Sequence, residues 1–362
     1  MQSKPISGLK KATCAAMLAL TLSACNALQG AFEPLDVKAK LGTDNRVTLN
    51  SLPIALLASD PSVETVGKIA YRGGLYLHSE DQRFGALSGL IVSDDGTKLL
   101  AVSEGGYWVT MDAISKDGRL TGLRHARIAP MLNGEGKPLE RRGGIAKAVT
   151  AAGPEGLNGG VYVAYEHKDR IWFYPFGQDG FTARPKAVDI PADAQRMTVT
   201  GNIQGLVTLD KDTLYAQSED ARDMKYDLQG WLIAIPKEAK GGHQGIVFLK
   251  ASGAYKPTCL AALPGGDVFV LERSFSLNEG AAMQIRRIKR STIEPLSVLD
   301  GEVIAKLDVR YSIDNMEAMA LRKGPAGETL IYLLSNDNYN GLQRTVLLEF
   351  ALNEGTGVAG VR

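Results

Sequence analysis

Long apolar runs are missing from this sequence. The apolar segment Ala12 to Ala24 has about 13 residues, where a bilayer-spanning helix needs roughly 20. Cysteine is scarce, with only Cys14, Cys25 and Cys259 in 362 residues. Charge of one sign does not predominate: 41 lysines and arginines face 40 acidic residues, so no global field draws nucleic acid. The basic run RRIKR at 286–290 lacks the interleaved aromatics of a nucleic-acid groove, and no nucleic-acid partner is expected. There is no GxSxG elbow, no Walker A and no dinucleotide fingerprint. His78, His125, His167 and His243 show no HExxH or other metal spacing.

What is present begins with an export signal. Lys4, Lys10 and Lys11 precede the short apolar segment, and Leu22-Ser23-Ala24-Cys25 resembles a bacterial lipobox. Cleavage before Cys25 would leave its thiol to carry lipid; an ordinary signal cut near Ala27 is the alternative. Asn26, rather than Asp, after the cysteine favours the outer membrane, facing the periplasm. The chain then divides into a signal (1–24), a lipidated cysteine with its tether (25–45) and a folded domain (46–362). Cys14 leaves with the signal. Cys259, in PTCLAAL, is left without a disulfide partner and reads as a small buried hydrophobe.

The rest of the chain repeats. A short apolar strand, a Gly/Asp turn, a second strand and an acidic or amide end recur in SGLIVSDDGTKLLAVSE (88–104), PEGLNGGVYVAYE (154–166) and IQGLVTLDKDTLYAQSE (203–219). They recur again in PTCLAALPGGDVFVLE (257–272) and MEAMALRKGPAGETLIYLLSND (316–337). The turns are good hairpin punctuation. A spacing of roughly 50–65 residues leaves room for two more strands per unit, which makes a four-stranded propeller blade. The fold expected is therefore all-β: a β-propeller of five or six blades. VGKIAYRGGLYL (66–77) would supply an outer strand that closes the ring. Residues 125–153 form either part of a sixth blade or a long loop. A β-sandwich is the rival; a motif at one fixed place in every unit favours the ring.

In a hairpin, the start of the first strand lies beside the end of the second. This pairs Ser88 with Glu104, Glu155 with Glu166, Gln204 with Glu219, Thr258 with Glu272, and Glu317 with Asn336 and Asp337. All would ring one mouth of a propeller. Crowded carboxylates repel unless cations offset them. Ca²⁺ is the natural offset, with Glu155, Glu166, Glu317 and Asp337 as expected ligands. Glu166, Glu272, Arg273, Glu317 and Asp337 are the expected catalytic groups. Glu104, Glu219, Arg344 and His167 would contact a ligand. The same carboxylates can instead accept backbone N–H bonds and lock neighbouring blades together.

These blocks resemble the bacterial phytase-like family, also described as the esterase-like activity of phytase. The likeness is carried by FGALSGL (84–90), PEGL (154–157) with YEH (165–167), and CLAALPGGDVFVLERSF (259–275). It continues in DNMEAMAL (314–321) and LLSNDNYNGLQRTVLLEFAL (333–352), and spans about residues 65–352. The resemblance implies a secreted or lipid-anchored propeller and hydrolysis of an ester or phosphoester. Gln204, Thr258-Cys259 and Asn336 depart from its acidic pattern and lower the charge of the rim. Two functions follow: a metal-assisted hydrolase acting on a small anionic ester, or a non-catalytic propeller that binds a ligand or an envelope protein.

Overall fold

The computed structural model describes residues 45–139, 144–166, 170–191, 194, 202–222, 227–235 and 243–354. Three early strands, β1 (Asn50–Pro53), β2 (Thr65–Val66) and β3 (Ile69–His78), belong to the last blade. Blade 1 is β4 (Leu87–Val92), β5 (Lys98–Ser103), β6 (Tyr107–Lys116) and β7 (Arg119–Pro130). Blade 2 is β8 (Ala146–Ala151), β9 (Val161–Tyr165), β10 (Arg170–Tyr174) and β11 (Lys186–Val188). Blade 3 is β12 (Ile203–Asp210), β13 (Thr213–Arg222), β14 (Leu228–Ala234) and β15 (His243–Leu249), extended in parallel by β19 (Val298–Leu299). Blade 4 is β16 (Lys256–Ala262), β17 (Val268–Ser276), β18 (Gly280–Ile288) and β20 (Glu302–Asp308).

Blade 5 closes the ring. Its inner strands are β21 (Met316–Lys323), β22 (Thr329–Ser335) and β23 (Thr345–Leu352), and β3 from the other end of the sequence pairs with β23 as the fourth. β1 adds outside β3. The propeller has five blades. The described residues of 125–153 hold no sixth: they include the end of β7 and β8, the innermost strand of blade 2.

The innermost strands β4, β8, β12, β16 and β21 touch in sequence around the axis. Small residues permit this. A Cβ at Gly89 would lie 2.9 Å from the backbone nitrogen of Val149 on the neighbouring strand, so only glycine fits there. The core is divided among the seams. Phe269, Leu271 and Met283 of blade 4 pack on Met316, Ile331 and Phe350 of blade 5, and four similar clusters fill the other seams. Each fully buried Leu, Ile or Phe contributes about 1.5–3 kcal/mol, so the blades are held mainly by apolar contact.

Candidate functional site

Every innermost strand breaks register once near its start. The residue skipped by pairing is Ser88, Lys147, Gln204, Thr258 and Glu317 in blades 1 to 5. Such a bulge re-aims one side chain without ending the strand. The partners across each hairpin, just before the bulge, are Ser103, Tyr165, Ser218, Glu272 and Ser335. The next residue along each second strand is therefore Glu104, Glu166, Glu219, Arg273 and Asn336. Five bulge residues and five strand-end residues surround the same mouth.

This register corrects two expectations. Glu272 aligns with Glu104 by eye, yet Arg273 holds that position in space. Successive side chains of a strand point to opposite faces, so the offset of one residue turns Glu272 away from the mouth. Glu272 is fully buried. Arg286 grips its two oxygens at 2.7 and 2.5 Å, and Gln284 donates to it at 2.6 Å. Glu155 is also misplaced by the hairpin argument. PEGL lies in the turn between β8 and β9, at the end opposite Glu166, and Glu155 is exposed there. Lys147, in the apolar stretch IAKAVTAA, takes the expected place. Its only sequence signal is a single charge in an otherwise apolar strand.

Among the described residues, the mouth holds two ionic clusters built on Lys147 and Arg273. Lys147 Nζ lies 2.6 Å from Glu104 and 3.0 Å from Glu166. Arg273 lies 3.7 Å from Glu219 and 3.4 Å from Glu317. Glu317 also accepts hydrogen bonds from the Asn315 and Asn336 amides at 2.9 and 2.8 Å, and Gln204 donates to Glu219 at 3.3 Å. The clusters share one field. Burial raises the Glu104 pKa, the Lys147 charge opposes that rise, and the Glu317 charge reinforces it. Burial works against charge on Lys147, but Glu104, Glu317 and Glu166 together hold its pKa above the ordinary lysine value.

The other expected groups lie at the rim. Asp337 latches blade 5 to blade 1: one oxygen accepts from the Ala86 amide at 2.7 Å, the other from the Thr345 hydroxyl at 2.8 Å. Tyr339, two residues on, lies 2.9 Å from the Ser103 hydroxyl across the same seam. Arg344 pairs with Asp314 at 3.3 Å and is half exposed. His167 and Cys25 lie outside the described residues.

Among the described residues, the mouth carboxylates are engaged by cations and amides in this arrangement rather than left open to a calcium ion. Calcium needs six to eight oxygens, and the mouth carboxylates already hold an ammonium, a guanidinium and three side-chain amides. Hydroxyls are engaged as well. Ser88 donates to the Ala146 carbonyl at 2.6 Å, Ser103 to that of Gly85 at 2.7 Å, and Thr258 to that of Met316 at 3.2 Å. The arrangement can present two fixed cations and four carboxylates to a ligand, and Glu104 is the group best placed to exchange a proton.

No curated protein matches the sequence. Among solved structures, the β-propeller domain of Cps50 (Swd1) from Myceliophteria thermophila is 10% identical, with 83% of this chain and 99% of that one covered and a TM-score of 0.36. A chain from the S. cerevisiae assembly of Dbp5 with Nup159, Gle1, IP6 and ADP is 11% identical, with 80% and 96% covered and a TM-score of 0.33. Residues 82–339, from the turn before blade 1 to the latch of blade 5, match the family described as phytase-like, esterase-like activity of phytase. With its five-bladed propeller and that match over most of its length, this chain belongs to the phytase-like family.

Proposed function

We propose that this protein is a lipid-anchored envelope propeller that binds a small anionic ester or phosphoester at its charged mouth. The observation that carries the reading is the pair of fixed cations, Lys147 and Arg273, each held at the mouth by two carboxylates. Their positions are set before a ligand arrives, so little ordering cost remains for binding. Turnover is the second reading. It is favoured by the raised pKa of Glu104 beside Lys147, which suits a carboxyl group to general acid chemistry, and by the family's name.

One titration separates the two. The purified protein is mixed with p-nitrophenyl phosphate and p-nitrophenyl butyrate, following heat and nitrophenol release, with K147M and E104Q beside wild type. Saturable heat without release, lost in K147M, is the expected result. Release abolished in E104Q, with binding kept, makes the protein a hydrolase. Neither heat nor release from either ester refutes the mouth as a ligand site. Outer-membrane attachment rests on Cys25: incorporation of labelled palmitate that disappears in C25A is expected, and incorporation that survives C25A would sink it.

A further inference from the structure

A second concave site lies at the seam of blades 5 and 1. The turns 93–97, 117–118 and 324–328 border it, so it opens on the face opposite the mouth. Its volume is about 550 Å³, within the range of small-molecule sites. Glu349 and Arg322 form its floor. Glu349 is buried in the middle of β23 and accepts from the Tyr332 hydroxyl, while Arg322 Nε donates to that hydroxyl at 2.9 Å.

Most charges around this cleft are already committed. Arg322 also lies 3.6 Å from Glu349 and donates to the Lys323 carbonyl at 3.1 Å. Asp95 accepts from Ser93 and Thr97 within its own turn, and Glu328 accepts the Ala326 amide. Three lining groups are different. Among the described residues Arg124 pairs with no carboxylate and Asp117 accepts no hydrogen bond, while Arg72 makes no direct ion pair and its charge acts on Glu349 only at longer range. Two guanidiniums outside any direct ion pair suit a carboxylate or phosphate oxygen set. One uncommitted carboxylate and the Ser115 hydroxyl suit ligand hydroxyls.

We propose that this cleft binds a small hydroxylated anion of sugar-acid or sugar-phosphate type, its anionic group between Arg72 and Arg124 and its hydroxyls toward Asp117. The assignment is independent of what the mouth binds.

The test is calorimetric titration of the full-length protein in detergent with gluconate, glucose 6-phosphate and inorganic phosphate. At least one of the two hydroxylated probes is expected to bind with a Kd below about 1 mM, more tightly than inorganic phosphate. R72M and R124M should each weaken that binding about tenfold or more. Both arginines are exposed, so the variants should keep the wild-type melting temperature. The binding that R72M and R124M weaken should survive in K147M, which removes only what the mouth binds. Carboxylate against phosphate preference then identifies the anion. No saturable binding of any probe at about 10 mM overturns the proposal, as does binding indifferent to both arginine variants. Loss in K147M instead would move the site to the mouth, and equal binding of bare phosphate would remove the hydroxyl contacts.

Discussion

Replacing Lys147 with methionine tests the ionic mouth most directly. The lysine side chain is only 11% exposed, and Glu104 and Glu166 are 19% and 22% exposed. Methionine keeps most of the volume and removes the charge. Two half-buried carboxylates would then face each other, with Glu317 adding to the same field. Removing one partner of a buried ion pair costs about 3–5 kcal/mol, and residual solvent at this mouth lowers that to about 2–4 kcal/mol. For a folded unit of roughly 320 residues the unfolding entropy is about 0.7 kcal/mol/K, so the melting temperature should fall by about 3–6 °C at pH 7.

The loss should depend on pH with a definite sign. Without Lys147, the folded-state pKa of Glu104 rises further above its unfolded value. The ionised carboxylate then penalises the fold above that pKa, and protonation relieves the penalty as pH falls through it. Scanning calorimetry at pH 8, 7, 6 and 5 should show the gap between K147M and wild type narrowing toward pH 5. E104Q in the K147M background should restore part of the loss at pH 7. A K147M melting point within 1 °C of wild type at pH 7, or a gap that widens toward pH 5, would refute the ionic reading.

Two further outcomes follow from the same geometry. R286M leaves Glu272 buried without its cation and should cost about 3–5 kcal/mol, whereas E272M/R286M should recover most of it; equal losses in the single and double variants would show that the pair is not coupled. D337A removes the acceptor that ties blade 5 to the Ala86 amide of blade 1, together with its bond from Thr345 within blade 5, and should cost about 1–3 kcal/mol, with faster amide exchange confined to the Ala86 amide and the loop 336–344; unchanged exchange there would remove Asp337 from ring closure.

Much of the fold was written in short-range pattern. Apolar strands of five to ten residues, separated by turns such as DDG, PGG and GPAG, specify hairpins wherever they stand. The closing strand was visible too, because IAYRGGLYL has strand composition and no hairpin partner of its own; its pairing with β23 supplies one. The site was legible only in part. Glu104, Glu166, Glu219 and Glu317 reach the mouth as their repeat positions suggested, and Arg273 reaches it in place of Glu272.

What the sequence determined by itself is the repeat, the strand ends and their polar character, because these depend on local period and turn chemistry. What the tertiary structure decided is which charge meets which. A bulge in each inner strand shifts pairing by one residue, and with a period of two that shift exchanges the inward and outward faces. The register puts Glu272 one residue short of the mouth, against Arg286, brings Arg273 between Glu219 and Glu317, and sets Lys147, alone in an apolar strand, between Glu104 and Glu166. The Lys147–Glu104, Arg273–Glu219 and Arg273–Glu317 pairs join residues more than about 40 positions apart on neighbouring blades, whereas Lys147–Glu166 and Glu272–Arg286 each lie within one blade. The pairs between blades exist only because neighbouring blades pack side by side and bring those edges together.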